Sequence, residues 1–264
     1  MVIHRMLDEI VISKAIIESY MKDLINNLSV DVIIAGGGPA GLVASEALAR
    51  AGFKVVIFEK KLTVGGGMPG GGILFNKIVV QEEAKKILDE FGVKLEKYQE
   101  NYYIGESLEC VSKLTAAAID AGVKIFNTIS VEDVKIDKDF RVTGVVINWS
   151  AVKIAKLHVD PITFQSKIVI DATGHDCELV KVVMRKIPGA KLNTKTGGIM
   201  GELPMHAEIG EKLLIKTTKE IYPGLYVAGM AANAVSGGQR MGPIFGGMII
   251  SGRKVAELII NKLK

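Results

Sequence analysis

The chain has 264 residues, 48% hydrophobic and 23% charged, a globular balance that excludes disorder and suffices for one large domain with a buried core. Its net charge of +4 comes from lysines spread over many segments without a Lys/Arg-rich block, which argues against a nucleic-acid binder. No stretch reads as a transmembrane helix, the N-terminus with His4, Arg5, Asp8 and Glu9 lacks a signal-peptide core, and Cys110 and Cys177 supply neither a disulfide framework nor a metal knuckle; a cytoplasmic address without membrane contact is expected. The unusual figure is glycine, with 29 residues, thirteen of them clustered at 36–38, 65–67, 70–72, 237–238 and 246–247. No three-residue period links them, so collagen is excluded. Clustered glycine in an apolar chain brings backbone close to something.

In chain order, Ala15, Ile16, Tyr20, Leu24 and Leu28 fall on one side of a helix over 13–28, with Ser13 placed to cap it. Residues 30–60 read as strand, glycine turn, helix and strand. The first strand, Val30–Ala35, is a continuous apolar run of the kind buried on both faces. The helix spans about 39–51 and ends at Gly52; the second strand, Lys54–Phe58, runs into Glu59. After a glycine-rich loop, Thr63–Gly72, helices are expected over 80–91 and 107–121 and a strand over Lys124–Ile129. Residues 131–157, punctuated at Asp137–Asp139, read as a small antiparallel meander. A buried-type strand, Lys167–Ile170, leads into Asp171-Ala172-Thr173-Gly174-His175-Asp176 and a helix over 177–186. Residues 188–220 read as irregular, Leu225–Ala228 as the last strand and 245–263 as the closing helix. The pattern predicts one α/β domain over 1–264 with small insertions.

Gly36-x-Gly38-x-x-Gly41 follows a strand and opens a helix, the context that a dinucleotide fingerprint requires. The first glycine permits the turn, the second lets a pyrophosphate approach the backbone, and the third lets helix pack on strand. The phosphates then face the helix N-terminus. Glu59 closes the second strand, where a carboxylate accepts from a ribose hydroxyl; this favours NAD or FAD over NADP. Flavoproteins with this fingerprint usually carry a later strand ending in Gly-Asp; here the matching strand ends Gly229-Met230, which argues against a bound flavin.

The four histidines are His4, His158, His175 and His206. His158 and Asp160 stand two apart, on one face of an extended segment. His175 follows a strand at its C-terminal end, where ligands bind in open α/β sheets. Two imidazoles and a carboxylate suit Fe(II) with open coordination positions. Spacing alone leaves open a blander reading, with His158 and Asp160 on an exposed strand and His175 capping the next helix. His4 is expected at the surface, and spacing gives His206 no role.

GGGPAG…FEKK, GGGMPGGG, HVDP, DATGHD, LYVAGM and RMGPIFGGM occur in this order from about Ser13 to the C-terminus. Together they resemble the archaeal-type thiazole synthases of thiamine biosynthesis. The resemblance implies a glutathione-reductase-like dinucleotide-binding Rossmann fold with a small antiparallel β meander. It implies NAD as a substrate rather than a cofactor: nicotinamide is expelled, the ADP-ribose opens to a ketone, glycine condenses with it, sulfur enters, and an adenylated thiazole carboxylate closes. Ferrous iron would be held by Asp160 and His175, and Arg240 would meet the glycine carboxylate. Gly36, Gly38, Ala40, Gly41, Glu59, Lys60 and Gly67 would bind the dinucleotide. Val131, His158, Val159, Asp160 and Met230 would join them. The subunits would form an octamer, with the HVDP segment shared between protomers. The departure is His158: fungal and plant members carry there a cysteine that surrenders its sulfur, so free sulfide is expected as the donor and true turnover as the result. Cys110 and Cys177 do not align with that position and are expected to be packing residues.

The alternatives are a ribose 1,5-bisphosphate isomerase, an FAD-dependent oxidoreductase and a non-enzymatic NAD-binding regulator. An isomerase of a free sugar phosphate needs neither an adenosine pocket at Glu59 nor an iron pair.

Overall fold

The computed structural model describes residues 7–264; His4 lies outside the described residues. The first helix, α1, runs Glu9–Asn26, starting ahead of the expected cap at Ser13. Asp8 caps it instead, its Oδ1 accepting from the amides of Ile10 at 2.8 Å and Val11 at 3.1 Å. Of its apolar residues only Leu24 is buried, and Tyr20 meets Phe126 edge-on at 5.9 Å.

The nucleotide-type unit forms as read: β1 (Ser29–Ala35), α2 (Pro39–Arg50) and β2 (Val55–Glu59). Pro39 takes the first helical turn, where no amide partner is lost. Beyond it the chain departs from expectation. Strands β3 (Lys77–Val80), β4 (Leu95–Gln99) and β5 (Tyr102–Glu106) make a separate antiparallel sheet in the order β3-β5-β4. Helix α3 (Glu82–Glu90) lies within it in sequence, and α4 (Ser107–Asp120) comes next. The expected strand at 124–129 is two, β6 (Lys124–Asn127) and β7 (Ile129–Ile136), because Thr128 adopts φ +56° between them. β7 pairs antiparallel with β8 (Val142–Trp149) across a turn in which Asp137 Oδ1 accepts from Asp139 and Arg141 amides at 2.9 Å. The meander then passes through a short helix α5 (Ser150–Ile154), not strand, and returns as β9 (Ile162–Asp171), longer than expected. α6 (Glu178–Lys186) comes after it. Residues 188–220, expected to be irregular, contain α7 (Ala207–Thr217) and β10 (Lys219–Tyr222). β11 (Leu225–Val227), α8 (Met230–Ser236) and α9 (Gly246–Leu263) complete the chain.

The main sheet has the order β10-β11-β9-β1-β2-β6, with β7 and β8 joined through β9. β1 runs parallel to both β2 and β9; the chain leaves β1 toward β2 on one side and leaves β9 toward β10 and β11 on the other, which opens a crevice at the strand C-termini. β1 divides the core: Val32 and Ile34 pack on one face with α2, α4 and α9, while Ile33 and Ala35 face the other. There Phe58 stacks on Phe126 at 5.8 Å and meets Phe164 edge-on at 4.9 Å.

Asp171 closes β9 and shapes the turn into α6. Its Oδ1 accepts from the Thr173 amide at 3.0 Å and hydroxyl at 2.6 Å. Its Oδ2 accepts from Leu179 and Val180 amides at 2.9 and 3.1 Å, capping α6 from a fully buried position. Burial pushes its carboxyl upward in pKa, opposed by these four donors. Asp171→Ala strands buried amides, and we expect a loss of about 3 kcal/mol in urea unfolding. An unchanged midpoint would refute this role in the turn.

Candidate active site

A cavity of about 690 Å³ opens at the C-terminal ends of β1, β2, β9 and β11. The three fingerprint glycines have three different surroundings. Gly36 has φ +103°, and a Cβ there would overlap the carbonyl oxygen of Ala172. Gly41 does not line the cavity; a Cβ on it would strike the Gly36 carbonyl, so its smallness seats α2 on the turn. Gly38 lines the cavity, and the nearest atom to a Cβ there is Gly66 Cα at 4.0 Å. Ala40, Gly67, Val131 and Met230 also line it.

Glu59, only 5% exposed, stands on the cavity wall. One carboxylate oxygen accepts from the Gly37 amide at 2.8 Å, the other from Lys61 at 2.9 Å. Each oxygen keeps a lone pair for a ribose hydroxyl. Lys60 lines the cavity with its ammonium 2.8 Å from Glu178 and 3.5 Å from Asp176. Burial lowers its pKa, but the bond to Glu178 and both carboxylates outweigh it and raise the value overall.

His175 stands on the 3₁₀ turn Gly174–Asp176 and lines the cavity, half-exposed. Its Nδ1 is 2.8 Å from both carboxylate oxygens of Glu202. Arg240 lines the cavity from a distant segment. That segment is pinned by the Leu203 amide on the Gly238 carbonyl at 3.0 Å, the Arg240 amide on the Leu203 carbonyl at 3.2 Å and the His206 amide on the Arg240 carbonyl at 2.9 Å. His175 and Arg240 are thus brought to one cavity.

His158, Val159 and Asp160 are not brought there by their own chain. All three are exposed and none lines the cavity. The Asn148 amide group tethers the Val159 carbonyl at 3.1 Å, leaving the segment facing outward. Among the described residues no three His, Cys, Asp or Glu side chains form a group able to hold a metal. His206 is the N-cap of α7, accepting from Ile209 at 3.4 Å.

Of Gly237, Gly238 and Gly242, the glycines flanking Arg240, only Gly242 lines the cavity. The space at Gly238 is filled by the Asn233 side chain and that at Gly237 by Met200. Cys110 and Cys177 are buried, and burial pushes their thiols up to about 12 and about 11, so neither is a nucleophile near neutral pH.

Two glutamates escaped the sequence reading. Glu202 has no motif around it. Glu211, buried on α7, accepts from the Gln81 amide group at 2.7 Å and from the Gly247 amide, bracing the start of α9 behind Pro243 and Phe245 of the cavity wall. These contacts join Gln81, Glu211 and Gly247, far apart in sequence, which no local pattern exposes.

Among the described residues no helix is long and apolar enough to cross a membrane. The Thi4 family model matches residues 13–245. A thiamine thiazole synthase of Methanothermobacter thermautotrophicus is 60% identical over 258 residues, covering 98% of this chain and 99% of that protein. One from Pyrococcus furiosus is 55% identical with the same coverage. A crystal structure of Thermovibrio ammonificans THI4 superposes with a TM-score of 0.96 at 49% identity, covering 98% of this chain and 99% of that one. At 15% identity and a TM-score of 0.51, a geranylgeranyl bacteriochlorophyll reductase-like protein of Thermoplasma acidophilum shares the fold alone. With motifs, cavity and relatives in agreement, the chain belongs to the Thi4 family.

Proposed function

We propose that the protein is a thiamine thiazole synthase that makes an adenylated thiazole carboxylate from NAD, glycine and sulfide, using ferrous iron. One observation carries this reading: a single cavity joins the Gly36–Gly38 turn and Glu59 to His175 and Arg240, in a chain 60% identical to a named thiamine thiazole synthase. Glu59 accepts the adenosine ribose hydroxyls, and the α2 N-terminus meets the pyrophosphate across the open face of Gly38. Arg240 offers its fork to the glycine carboxylate. Closed by Pro243, Phe245 and Met248, the wall beyond it limits water around the opened ribose.

The donor set fits iron only across two copies of the chain. His175 has one ring nitrogen occupied by Glu202 and one free, while Asp160 lies outside its own chain's cavity. His175 of one copy and Asp160 of its neighbour would hold the metal. When bound, ferrous iron would gather sulfide and the amino-acid end of the substrate in its open positions. Self-association of the chain, with the octamer being what the resemblance implies, is supported by apolar residues left uncovered: Ile10, Val11, Ile16, Ile17 and Ile25 on α1, and Ile154, Leu157 and Val159 around the HVDP segment. His158 contains no sulfur, so the donor is external sulfide and each chain turns over repeatedly.

Anaerobic incubation with NAD, glycine, Fe(II) and sulfide, with mass spectrometry of the products, tests the whole reading. An adenylated thiazole in excess over protein chains is expected; nicotinamide release without it refutes the assignment. Arg240→Ala should raise the glycine concentration for half-maximal rate about 10- to 100-fold, the equivalent of one charge-assisted pair. An unchanged glycine dependence removes Arg240 from that role.

A further inference from the structure

We infer that Glu202 is the positioning residue for His175: it holds the ring in the Nδ1–H tautomer and turns Nε2 toward the cavity. Both Glu202 carboxylate oxygens stand 2.8 Å from Nδ1, a symmetric contact that holds this edge of the ring against the carboxylate. An ionised carboxylate only accepts, so the proton between the pair belongs to Nδ1 in the neutral ring. The Glu202 side chain is 19% exposed against 51% for His175, so the carboxylate is the deeper partner and the imidazole the one on the cavity face. Glu202 itself does not line the cavity, so it stands behind the imidazole rather than on the cavity wall.

The anchor of Glu202 explains its reach. The next residue, Leu203, pairs with Gln239, and its carbonyl accepts from the Arg240 amide at 3.2 Å. The Glu202–His175 contact therefore ties the turn after β9 to the segment that carries Arg240. The two groups proposed to face the amino-acid substrate are held to each other by one hydrogen-bonded link. A carboxylate behind a metal-binding imidazole also raises its basicity and commonly contributes about 10- to 100-fold in metal affinity. That consequence rests on the iron reading above, whereas the tautomer does not.

Two measurements on the full-length protein separate the claims. Solid-state NMR of sedimented protein with ¹⁵N-labelled histidine, with H175A to identify the signal, reads the tautomer directly. Wild type should show His175 protonated on Nδ1 and bare on Nε2, and E202A should lose that preference. Protonation on Nε2 in wild type, or an unchanged ring in E202A, overturns the inference. Titration with Co(II), monitored by its d–d absorption, reads the consequence. E202A should bind about 10- to 100-fold more weakly and E202Q, which keeps an acceptor, should lose less, with NAD affinity unchanged in both. Equal Co(II) affinity in E202A and wild type overturns the positioning role. If wild type takes up no Co(II), the iron reading fails and the tautomer measurement still decides this one.

Discussion

Replacing either His175 or Asp160 with alanine should abolish thiazole formation, and mixing the two inactive variants should restore part of it. Both residues are exposed, and neither substitution opens a cavity in the core. The thermal midpoint should therefore move by no more than about 2 °C. NAD affinity should persist, because the Gly36–Gly38 turn and Glu59 are untouched. The recovery on mixing comes from geometry. One chain puts His175 on its cavity wall and carries Asp160 outside it. In the proposed shared site, a His175→Ala chain would still supply Asp160 to its neighbour, and an Asp160→Ala chain would still offer His175. When the variants are dissociated, mixed and reassembled, some junctions regain both ligands. Full activity in either single variant removes that residue from the proposed metal site. Two dead variants that stay dead after verified mixing place both ligands within one protomer and refute the shared site.

How far the sequence discloses this arrangement depends on how local each signal is. β1, α2 and β2 were legible because a strand buried on both faces reads as an unbroken apolar run, and because the turn residues are glycines with separate steric tasks. β4, with the sequence LEKYQ, was not: it is an edge strand, mostly exposed, so no alternation marks it. α8 is seven residues of mostly alanine and other small side chains, all but its last buried, and so shows no period. α7 hid within a stretch read as irregular because the glycines around it at 197, 198 and 201 dominated the pattern. For the site, His175 is marked by its place at the end of a buried strand and Arg240 by resemblance alone, and their convergence depends on the 203–206 segment pairing with 238–240. Glu202 belongs to the same long-range pairing and carries no periodic or motif signal. Asp160 presents a different limit: its proposed partner lies on another copy, and a single chain's pattern does not encode a junction between copies.

Gly36→Ala and Gly38→Ala should fail in opposite ways. Gly36 sits at φ +103°, where an L side chain is strained, and its Cβ would overlap the Ala172 carbonyl oxygen. Backbone strain contributes about 1–3 kcal/mol and the steric overlap a similar amount, so Gly36→Ala should lower the unfolding free energy by about 2–6 kcal/mol. Relief would push Ala172 away, and Ala172 begins the turn that carries His175; folded molecules should therefore lose catalysis along with NAD binding. Gly38 has φ −75° and ψ 179°, a conformation open to any residue, and a Cβ there has its nearest neighbour 4.0 Å away. Its alanine variant should hold wild-type stability within about 0.5 kcal/mol. The methyl group would instead stand where the pyrophosphate is proposed to approach the backbone, and NAD affinity should fall at least about 10-fold. Urea unfolding and calorimetric NAD titration of the two variants read both axes. If Gly38→Ala binds NAD as well as wild type, the pyrophosphate does not cross that face. If Gly36→Ala is fully stable, the contact with Ala172 is not what shapes the turn.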